Sequence, residues 1–276
     1  MSFALPPTVH FSLLTPPRPA AADSCRDDVH TVSTVGHTVS TGVYCANNPV
    51  RLVDVDGRTV VPNDEDARQI YNEYKSEVTS RLAKAKEMVS GLKQQQSLGK
   101  KISDRKISRA ENEVNQYQSI SDELSNMEES SIVFRINAHT TGNCTSAYGS
   151  TTYNVSTGEV NINVGDGATI VNENGFHDYI TPMMIIAHEL KHGFQYLKQE
   201  LDFNEDGTQG GLLYDFTDEQ AAIKRSALFG PVSVNSLERS YGIGALQNRK
   251  ESRSYNQLTP MQKKSYDAQK AHGIYH

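Results

Sequence analysis

The sequence contains no tryptophan, only 3 cysteines and no long apolar run. Its cysteines, Cys25, Cys45 and Cys144, are too few and too scattered for a disulfide framework or a cysteine-based zinc site, so we expect free thiols. No apolar stretch approaches the roughly 18–20 residues of a membrane helix, and we therefore expect no membrane span. The amino-terminal residues also lack an apolar core long enough for a signal peptide.

Basic residues are in the minority. Lys and Arg number 27 against 33 Asp and Glu, which gives a formal net charge of -6. This balance offers no general case for a nucleic-acid partner. With 276 residues, 37% of them hydrophobic, the chain can form one sizeable core with appendages or two small domains.

The most informative feature that is present is an H-E-x-x-H motif at His188, Glu189 and His192. Residues four apart on a helix share one face, with roughly 5–6 Å between Cβ atoms, so both imidazoles can bind one metal ion. Glu189 can then accept a proton from a zinc-bound water. The motif predicts a catalytic zinc site. The alternative is a half-buried helix that carries two unrelated histidines.

The residues around the motif have the features of a helix. Thr181 fits the N-cap and Pro182 fits the first helical position, where a missing N–H costs nothing. Apolar residues then recur at helical spacing, at Ile186, Leu190, Phe194 and Leu197. We therefore expect a buried helix that presents both histidines on one face.

Two histidines leave zinc short of a protein ligand, and a carboxylate from a later helix commonly completes the set. A further helix is predicted near Thr217, which fits a capping box with Gln220. We choose Glu219 as the third ligand because it shares a face with apolar residues, whereas Asp218 lies further round the helix. The alternative role of Glu219 is a favourable charge in the first helical turn. Asp215 or Asp218 can instead accept the outward N–H of a ligating histidine.

Peptide hydrolysis also needs a donor that stabilises the carbonyl oxygen as it becomes tetrahedral, and Tyr or His often serves. Tyr241, Tyr255 and His177 are candidates, and the sequence does not choose among them. We carry Tyr241 forward as the candidate catalytic residue beside Glu189.

Two long amphipathic helices are predicted upstream of the motif, over residues 63–129, with a turn around Gly99. Each has a single apolar stripe and needs a partner, so we expect an antiparallel hairpin packed on the catalytic part. The alternative is a surface for another protein. Residues 131–136, 151–155 and 159–164 are predicted strands, the last two joined as a β-hairpin.

Residues 44–58 resemble the end of the Rhs repeat-associated core, which reads Y-x-x-N-N-P-x-x-x-x-D-P-D-G-R. The matching positions are Tyr44, Asn47, Asn48, Pro49, Asp54, Asp56, Gly57 and Arg58, and Val55 replaces the usual proline. In that family a variable C-terminal toxin or effector follows the motif. The resemblance implies an effector tip preceded by a stub of its carrier.

The H-E-x-x-H motif followed by D-E-x-x-A resembles the metallopeptidase domains at the C-terminus of Rhs-type polymorphic toxins. The resemblance covers residues 130–255, where His188, Glu189, His192 and Glu219 match residue by residue. Ile223 stands where thermolysin-like enzymes have an aspartate that supports a ligating histidine. Zincin-type peptidases commonly place an edge strand beside this helix, and residues 161–164 are the strand expected to receive substrate.

The predicted fold class is α+β: a zincin-like metallopeptidase domain with a small antiparallel sheet, an active-site helix and a preceding two-helix hairpin. The expected organisation is an irregular leader (1–42), an Rhs-core-like stub (43–62), the helical hairpin (63–129), the peptidase domain (130–255) and a tail (256–276).

The expected function is that of a zinc-dependent endopeptidase, a secreted effector or toxin tip in which Glu189 is the general base for a zinc-bound water. The resemblance implies a protein or peptide substrate, an immunity protein as partner, synthesis in the bacterial cytoplasm and delivery by a specialised secretion system. The alternative is a non-catalytic module, zinc-stabilised or degenerate, that binds a target or an immunity protein. Only the peptidase should lose cleavage when Glu189 is replaced by Gln.

Overall fold

A computed structural model of the chain describes residues 59–138, 147–172, 174–243 and 255–271. The chain divides into two units, Met1–Pro49 and Val50–His276, and all described residues belong to the second. The predicted leader, the Rhs-like motif at residues 44–58 and all three cysteines lie outside the described residues. Within the described ranges, no helix is both long enough and apolar enough to cross a membrane.

The described residues form helices and short strands, which confirms the mixed α+β class. The helices are α1 (Glu65–Ser97), α2 (Asp104–Glu128), α3 (Pro182–Leu197), α4 (Phe216–Ala227), α5 (Val234–Ser240) and α6 (Pro260–Ala271). The strands are β1 (Val60–Pro62), β2 (Phe134–Ala138), β3 (Ser150–Asn154), β4 (Glu159–Val164), β5 (Ala168–Val171), β6 (His177–Ile180), β7 (Asp202–Phe203) and β8 (Gln209–Gly210).

Helices α1 and α2 form the hairpin expected at residues 63–129. Asp64 caps α1 by accepting a hydrogen bond from the Ala67 N–H at 2.6 Å. Gly99, with φ of 81°, lies just after α1 in the left-handed region that glycine adopts without strain. Both helices also contact α3. The hairpin therefore packs against the helix that carries the H-E-x-x-H motif.

The main sheet has four strands in the order β1-β2-β4-β3 and is mixed rather than antiparallel. β1 pairs parallel with β2, β2 pairs parallel with β4, and only β3 and β4 are antiparallel. The expectation of a small antiparallel sheet holds only for the two separate two-stranded sheets, β5-β6 and β7-β8. A parallel pair needs a long crossover, and the α1–α2 hairpin is the crossover between β1 and β2.

The predicted edge strand at residues 161–164 is wrong. These residues belong to β4, which lies inside the sheet between β2 and β3, so the sheet edge on that side is β3. The β3–β4 hairpin was visible as a local pattern, but the partner on the other side of β4 comes from a distant part of the chain. Phe134 of β2 aligns with Val160 of β4, and this register continues to Ala138 and Val164.

Helix α3 lies in the core, between the sheet and the other helices. Gly193 allows a close approach to both, because a Cβ there would lie 3.1 Å from both Ile162 of β4 and Met127 of α2. Residues of α3 on almost every side are buried, including Ile185, Ile186 and Leu190, which are 0–2% exposed. Burying such a side chain contributes about 1.5–3 kcal/mol. α3 is thus a rigid central element on which a site can be built.

Candidate metal centre

Helix α3 begins where the sequence predicts. Thr181 is the N-cap, its hydroxyl accepts a hydrogen bond from the Met184 N–H at 3.3 Å, and Pro182 is the first helical residue. This start places His188 and His192 one turn apart on the same helix. Their exposures are 2% and 0%, so both imidazoles lie inside the protein.

Helix α4 supplies Glu219 but begins one residue before the predicted cap. Asp215, not Thr217, is the N-cap: its carboxylate accepts from the Thr217 N–H at 2.6 Å. Asp218 completes the capping box by accepting from the Asp215 N–H at 2.8 Å. The predicted Thr217–Gln220 box is therefore wrong, because Asp and Thr both cap well and the local pattern leaves the register open. Asp218 is committed to the cap, whereas Glu219 turns inward.

His188, His192 and Glu219 converge on one point. The two Nε2 atoms are 3.0 Å apart, His188 Nε2 lies 3.3 Å from Glu219 Oε2, and His192 Nε2 lies 3.2 Å from Glu219 Oε1. Ligand atoms held about 2.0–2.1 Å from a tetrahedral metal lie about 3.3 Å from one another. The spacing and the donor set therefore fit a metal ion, and the three buried residues form a group that could hold one.

The Glu219 carboxylate and the His192 imidazole shift each other's pKa values toward the charged forms. Burial alone would lower the pKa of His192, but the Glu219 charge and its hydrogen bond outweigh burial and raise that pKa to about 9. Burial alone would raise the pKa of Glu219, but His192 and the hydrogen bonds from both imidazoles hold it well below its usual range. Without metal, a proton on His192 balances Glu219, so a cation must compete with that proton.

Glu189 is buried beside the ligands, at 3% exposure, and burial raises its pKa. The Thr151 hydroxyl donates to Glu189 Oε2 at 2.8 Å and lies 3.0 Å from the Glu189 backbone oxygen. Strand β3 can approach this closely because Gly149 precedes it: a Cβ there would lie 2.6 Å from Glu189 Cγ. The sequence does not identify Thr151, because it is one alternating residue of a strand with no local signal of contact to α3.

The outer nitrogen of His192 is held by Gln195, not by an aspartate. His192 Nδ1 lies 2.8 Å from Gln195 Oε1, and Gln195 Nε2 donates to the Asp218 backbone oxygen at 3.1 Å. The alternative in which an Asp215 or Asp218 carboxylate accepts this N–H therefore does not hold for His192. Gln195 follows His192 by three residues on α3, a spacing that could have identified it. Among the described residues, His188 Nδ1 has no hydrogen-bond partner.

Tyr214 is a third residue near the site that was not predicted from the sequence, after Thr151 and Gln195. Its hydroxyl donates to Glu219 Oε1 at 2.8 Å, from the loop just before α4. Hydrogen bonds of this kind orient a ligating carboxylate and tune its affinity for metal. No sequence pattern marks Tyr214, since the contact depends on how the loop enters the helix.

Of the three oxyanion candidates, the structure brings Tyr241 to the ligands. Its ring stacks on His188 with centroids 4.6 Å apart and planes 8° from parallel. The Tyr241 hydroxyl is buried and has no hydrogen-bond partner among the described residues, and burial together with the Glu189 and Glu219 charges raises its pKa. Tyr255 instead donates to Asp267 at 2.9 Å, and His177 lies exposed opposite Val171 on β5–β6.

The outer edge of β3 is partly covered by the loop between β7 and β8. The Tyr153 N–H donates to the Gly207 oxygen at 2.8 Å instead of to β4. Alternate residues of an antiparallel strand direct their backbone groups to the same side, so the Thr151 backbone also faces away from β4. Among the described residues, the uncovered edge beside Glu189 is therefore short, and it ends where Gly207 contacts Tyr153.

The covering loop contains the pattern D-x-N-x-D-G at Asp202, Asn204, Asp206 and Gly207. This pattern occurs in calcium loops, but here its oxygens hold the loop together. The buried Asp202 carboxylate accepts hydrogen bonds from the Leu213 N–H at 3.1 Å and from the Leu212 N–H at 3.2 Å. Burial raises the pKa of Asp202 to about 6. We therefore assign the loop a structural role.

No model of a known protein family matches the chain, and no curated protein or solved structure shows significant similarity to it. The candidate site is therefore defined by its own geometry.

Proposed function

We propose that the protein is a zinc-dependent endopeptidase that uses His188, His192 and Glu219 as metal ligands. The observation that carries the proposal is the convergence of these three buried side chains next to Glu189. Two imidazoles and one carboxylate are a donor set that suits zinc and leaves room for a further ligand. The zincin-like character of the fold is part of the same proposal, supported by the H-E-x-x-H helix packed against a sheet whose edge strand contacts Glu189.

When bound, zinc supplies Lewis acidity that polarises the scissile carbonyl and makes the attacking water more acidic. Glu189 accepts the proton of that water and passes it to the leaving amine. Thr151 holds Glu189 by Oε2, which leaves Oε1 for the proton. Burial raises the pKa of Glu189. A raised pKa makes protonation of the carboxylate easier, which suits a group that must both take up and release a proton.

Tyr241 is proposed to stabilise the carbonyl oxygen as it gains charge. Its hydroxyl is buried without a partner among the described residues, and its ring is held against His188. An unpaired buried donor is costly unless a ligand satisfies it. A hydrogen bond to the developing oxyanion would do so, and such donors contribute about 3 kcal/mol to transition-state stabilisation.

The proposed substrate is an extended polypeptide segment that pairs with the free edge of β3. This mode of recognition uses backbone hydrogen bonds and needs no preformed side-chain pocket. The outward-facing Thr151 backbone lies beside Glu189, and Gly207 closes the edge at Tyr153. Pairing should therefore be limited to a few substrate residues on that side.

The effector setting is proposed from the Rhs-like motif at residues 44–58 and its order ahead of H-E-x-x-H. It implies a target protein, an immunity protein and delivery by a specialised secretion system. Expression of the chain in a bacterial cytoplasm, with and without Glu189→Gln, tests it by growth. Toxicity that depends on Glu189 supports this setting, and harmless expression of the active enzyme contradicts it.

The decisive experiment compares wild type with Glu189→Gln. Metal analysis of both purified proteins should find about one zinc per chain, because Glu189 is not a ligand. Proteomic mapping of new N-termini in cells that express each form should find cleavage products only with wild type. Absence of zinc from wild type, or identical N-termini in both, would refute the peptidase.

A non-catalytic zinc-stabilised module that binds a target or an immunity protein is the second candidate. The observation that favours it is burial: the three ligands and Glu189 are all at most 6% exposed. Structural zinc sites are closed to solvent, whereas catalytic sites keep an open position. The same comparison separates the two, because a structural site would hold zinc in both proteins and give no cleavage in either.

A further inference from the structure

A buried ion cluster joins the helical hairpin to both helices that carry the candidate ligands. Glu123 of α2 lies at its centre: Lys191 Nζ is 3.1 Å from Glu123 Oε1, and Arg225 Nη2 is 2.8 Å from Glu123 Oε2. The exposed fractions of the three side chains are only 11%, 14% and 11% for Glu123, Lys191 and Arg225. The cluster is therefore largely removed from water.

The two cations come from the two ligand-bearing helices. Lys191 belongs to α3 and directly precedes His192, while Arg225 belongs to α4, six residues after Glu219. One carboxylate of α2 thus bridges α3 and α4. The separation of these helices determines how far Glu219 lies from the imidazoles, now 3.2–3.3 Å. Glu123 is placed to control that separation.

Aromatic side chains lie next to both cations of the cluster. The ring of Phe194 lies 5.1 Å from Lys191 Nζ. Tyr74 of α1, which is fully buried, faces Arg225, and burial raises the pKa of Tyr74 to about 12 although Arg225 opposes the rise. In such surroundings a carboxylate between two cations is not weakened by solvent as a surface pair is.

The hairpin holds α4 at a second point. Arg81 of α1 donates a hydrogen bond to the backbone oxygen of Leu228, the C-cap of α4. Arg225 and Leu228 lie in the last turn of that helix, so both contacts act on the same end. Movement of the hairpin would therefore shift α4 relative to α3.

We infer that Glu123 is a positioning residue of the metal centre, which makes the hairpin part of the site. Removing its charge takes away the carboxylate that pairs with both Lys191 and Arg225, and a buried cation left unpaired is strongly unfavourable. Glu200 also acts on Lys191, but among the described ion pairs only Glu123 joins Lys191 to Arg225. Relief of the repulsion between the two cations favours a wider separation of the two helices. The inference rests on the proposed metal centre but not on peptide hydrolysis.

The test replaces Glu123 by Gln and measures zinc binding by competition with a chromophoric chelator. Glu128→Gln is the matched control, because Glu128 lies on the same helix and pairs with Lys75 of α1, not with a ligand-bearing helix. Changes around metal ligands typically weaken affinity 10–100-fold. We expect the Kd for zinc to rise roughly tenfold in Glu123→Gln and to stay close to the wild-type value in Glu128→Gln.

The absorption spectrum of bound Co²⁺ provides a readout that lost stability alone does not move, because it reports the arrangement of the ligands. We expect Glu123→Gln to change band positions and intensity, with Glu128→Gln matching wild type. An unchanged Kd and spectrum in a folded Glu123→Gln protein would overturn the inference, even if that protein unfolds at lower temperature.

Lys191→Met removes only the α3 arm of the cluster and retains the Glu123–Arg225 pair. It keeps the inference testable if Glu123→Gln does not fold. A weaker zinc affinity and an altered cobalt spectrum are expected, and wild-type values would again overturn the inference. If wild type binds no zinc, the proposed metal centre itself fails. If wild type binds zinc and the variants match it, only the role of Glu123 fails.

Discussion

Replacing Thr151 by Val tests the link between the edge strand and the proposed general base. Valine has nearly the shape of threonine, so the substitution removes the hydroxyl that lies 2.8 Å from Glu189 Oε2 with little change in packing. Thr151 is 1% exposed, so bulk solvent does not reach the position of the lost hydrogen bond. The ionised Glu189 carboxylate should therefore lose all the stabilisation that this hydrogen bond provides.

The free energy lost with this hydrogen bond depends on the charge of its acceptor, the Glu189 carboxylate. A hydrogen bond to a charged group contributes about 1.5–3 kcal/mol, and 1.36 kcal/mol corresponds to one pKa unit. Burial is the main cause of the raised Glu189 pKa, and the Thr151 hydroxyl opposes it by stabilising the charged form. Removing the hydroxyl should therefore raise the pKa of Glu189 further, because one interaction that favours the charged form is lost. A general base must be ionised to accept a proton, so activity is lost as the pH falls through the pKa of Glu189. In Thr151→Val this acidic limb should lie at a higher pH than in wild type.

The assay is the pH dependence of kcat/KM on a fluorogenic peptide built from a cleavage site mapped by new N-termini. Zinc affinity should be unchanged in Thr151→Val, because Glu189 is not a ligand. Thr151→Ser should restore the wild-type acidic limb, and Thr152→Val, on the other face of the same strand, should leave it in place. An acidic limb in Thr151→Val at the wild-type position would refute the proposed contact between strand and base.

Three further predictions concern the metal ligands and the loop that covers β3. Tyr214→Phe should raise the Kd for zinc roughly tenfold in a chelator competition assay, by loss of the hydrogen bond to the carboxylate ligand, and an unchanged Kd would contradict this role. Zinc affinity measured by the same assay should increase with pH up to about 9, because the metal displaces a proton from His192; a flat profile between neutral pH and that value would show that no such proton is released. Gly207→Ala should lower the thermal midpoint markedly, because φ is +81° and a Cβ would lie 1.9 Å from the Tyr153 oxygen. Gly91→Ala in α1, where no atom lies within 4 Å, should instead stabilise by about 0.5–1 kcal/mol, and equal midpoints for the two variants would refute the loop contact.

The Glu123 cluster changes how the helical hairpin is understood. From its apolar stripes alone, the hairpin could have packed on the catalytic part or served another protein. Its buried side contacts α3 and reaches α4 through Arg225 and Leu228. The hairpin is therefore an integral part of the described fold, and its charged outer faces are the part left open to solvent.

Local sequence determined the helix that carries the motif and the spacing of its histidines. Thr181 and Pro182 define the start of α3, and the four-residue interval between His188 and His192 places both on one face. These features depend on neighbours within one or two turns, where backbone geometry leaves little choice. The choice of Glu219 over Asp218 also followed from helix geometry, although the predicted cap was two residues late.

Tertiary structure alone decided which partners meet across distant parts of the chain. The parallel pairing of β2 with β4 moved the free edge to β3, and the contacts of Thr151 with Glu189 and of Glu123 with Lys191 join residues far apart in sequence. Such contacts are selected by the packing of whole elements, since a hydroxyl or carboxylate on a strand or helix carries no local mark of its partner. The candidate metal ligands could therefore be predicted from sequence, and helical spacing could also have identified Gln195. The positions of Thr151, Tyr214 and Glu123 beside the site could not be predicted.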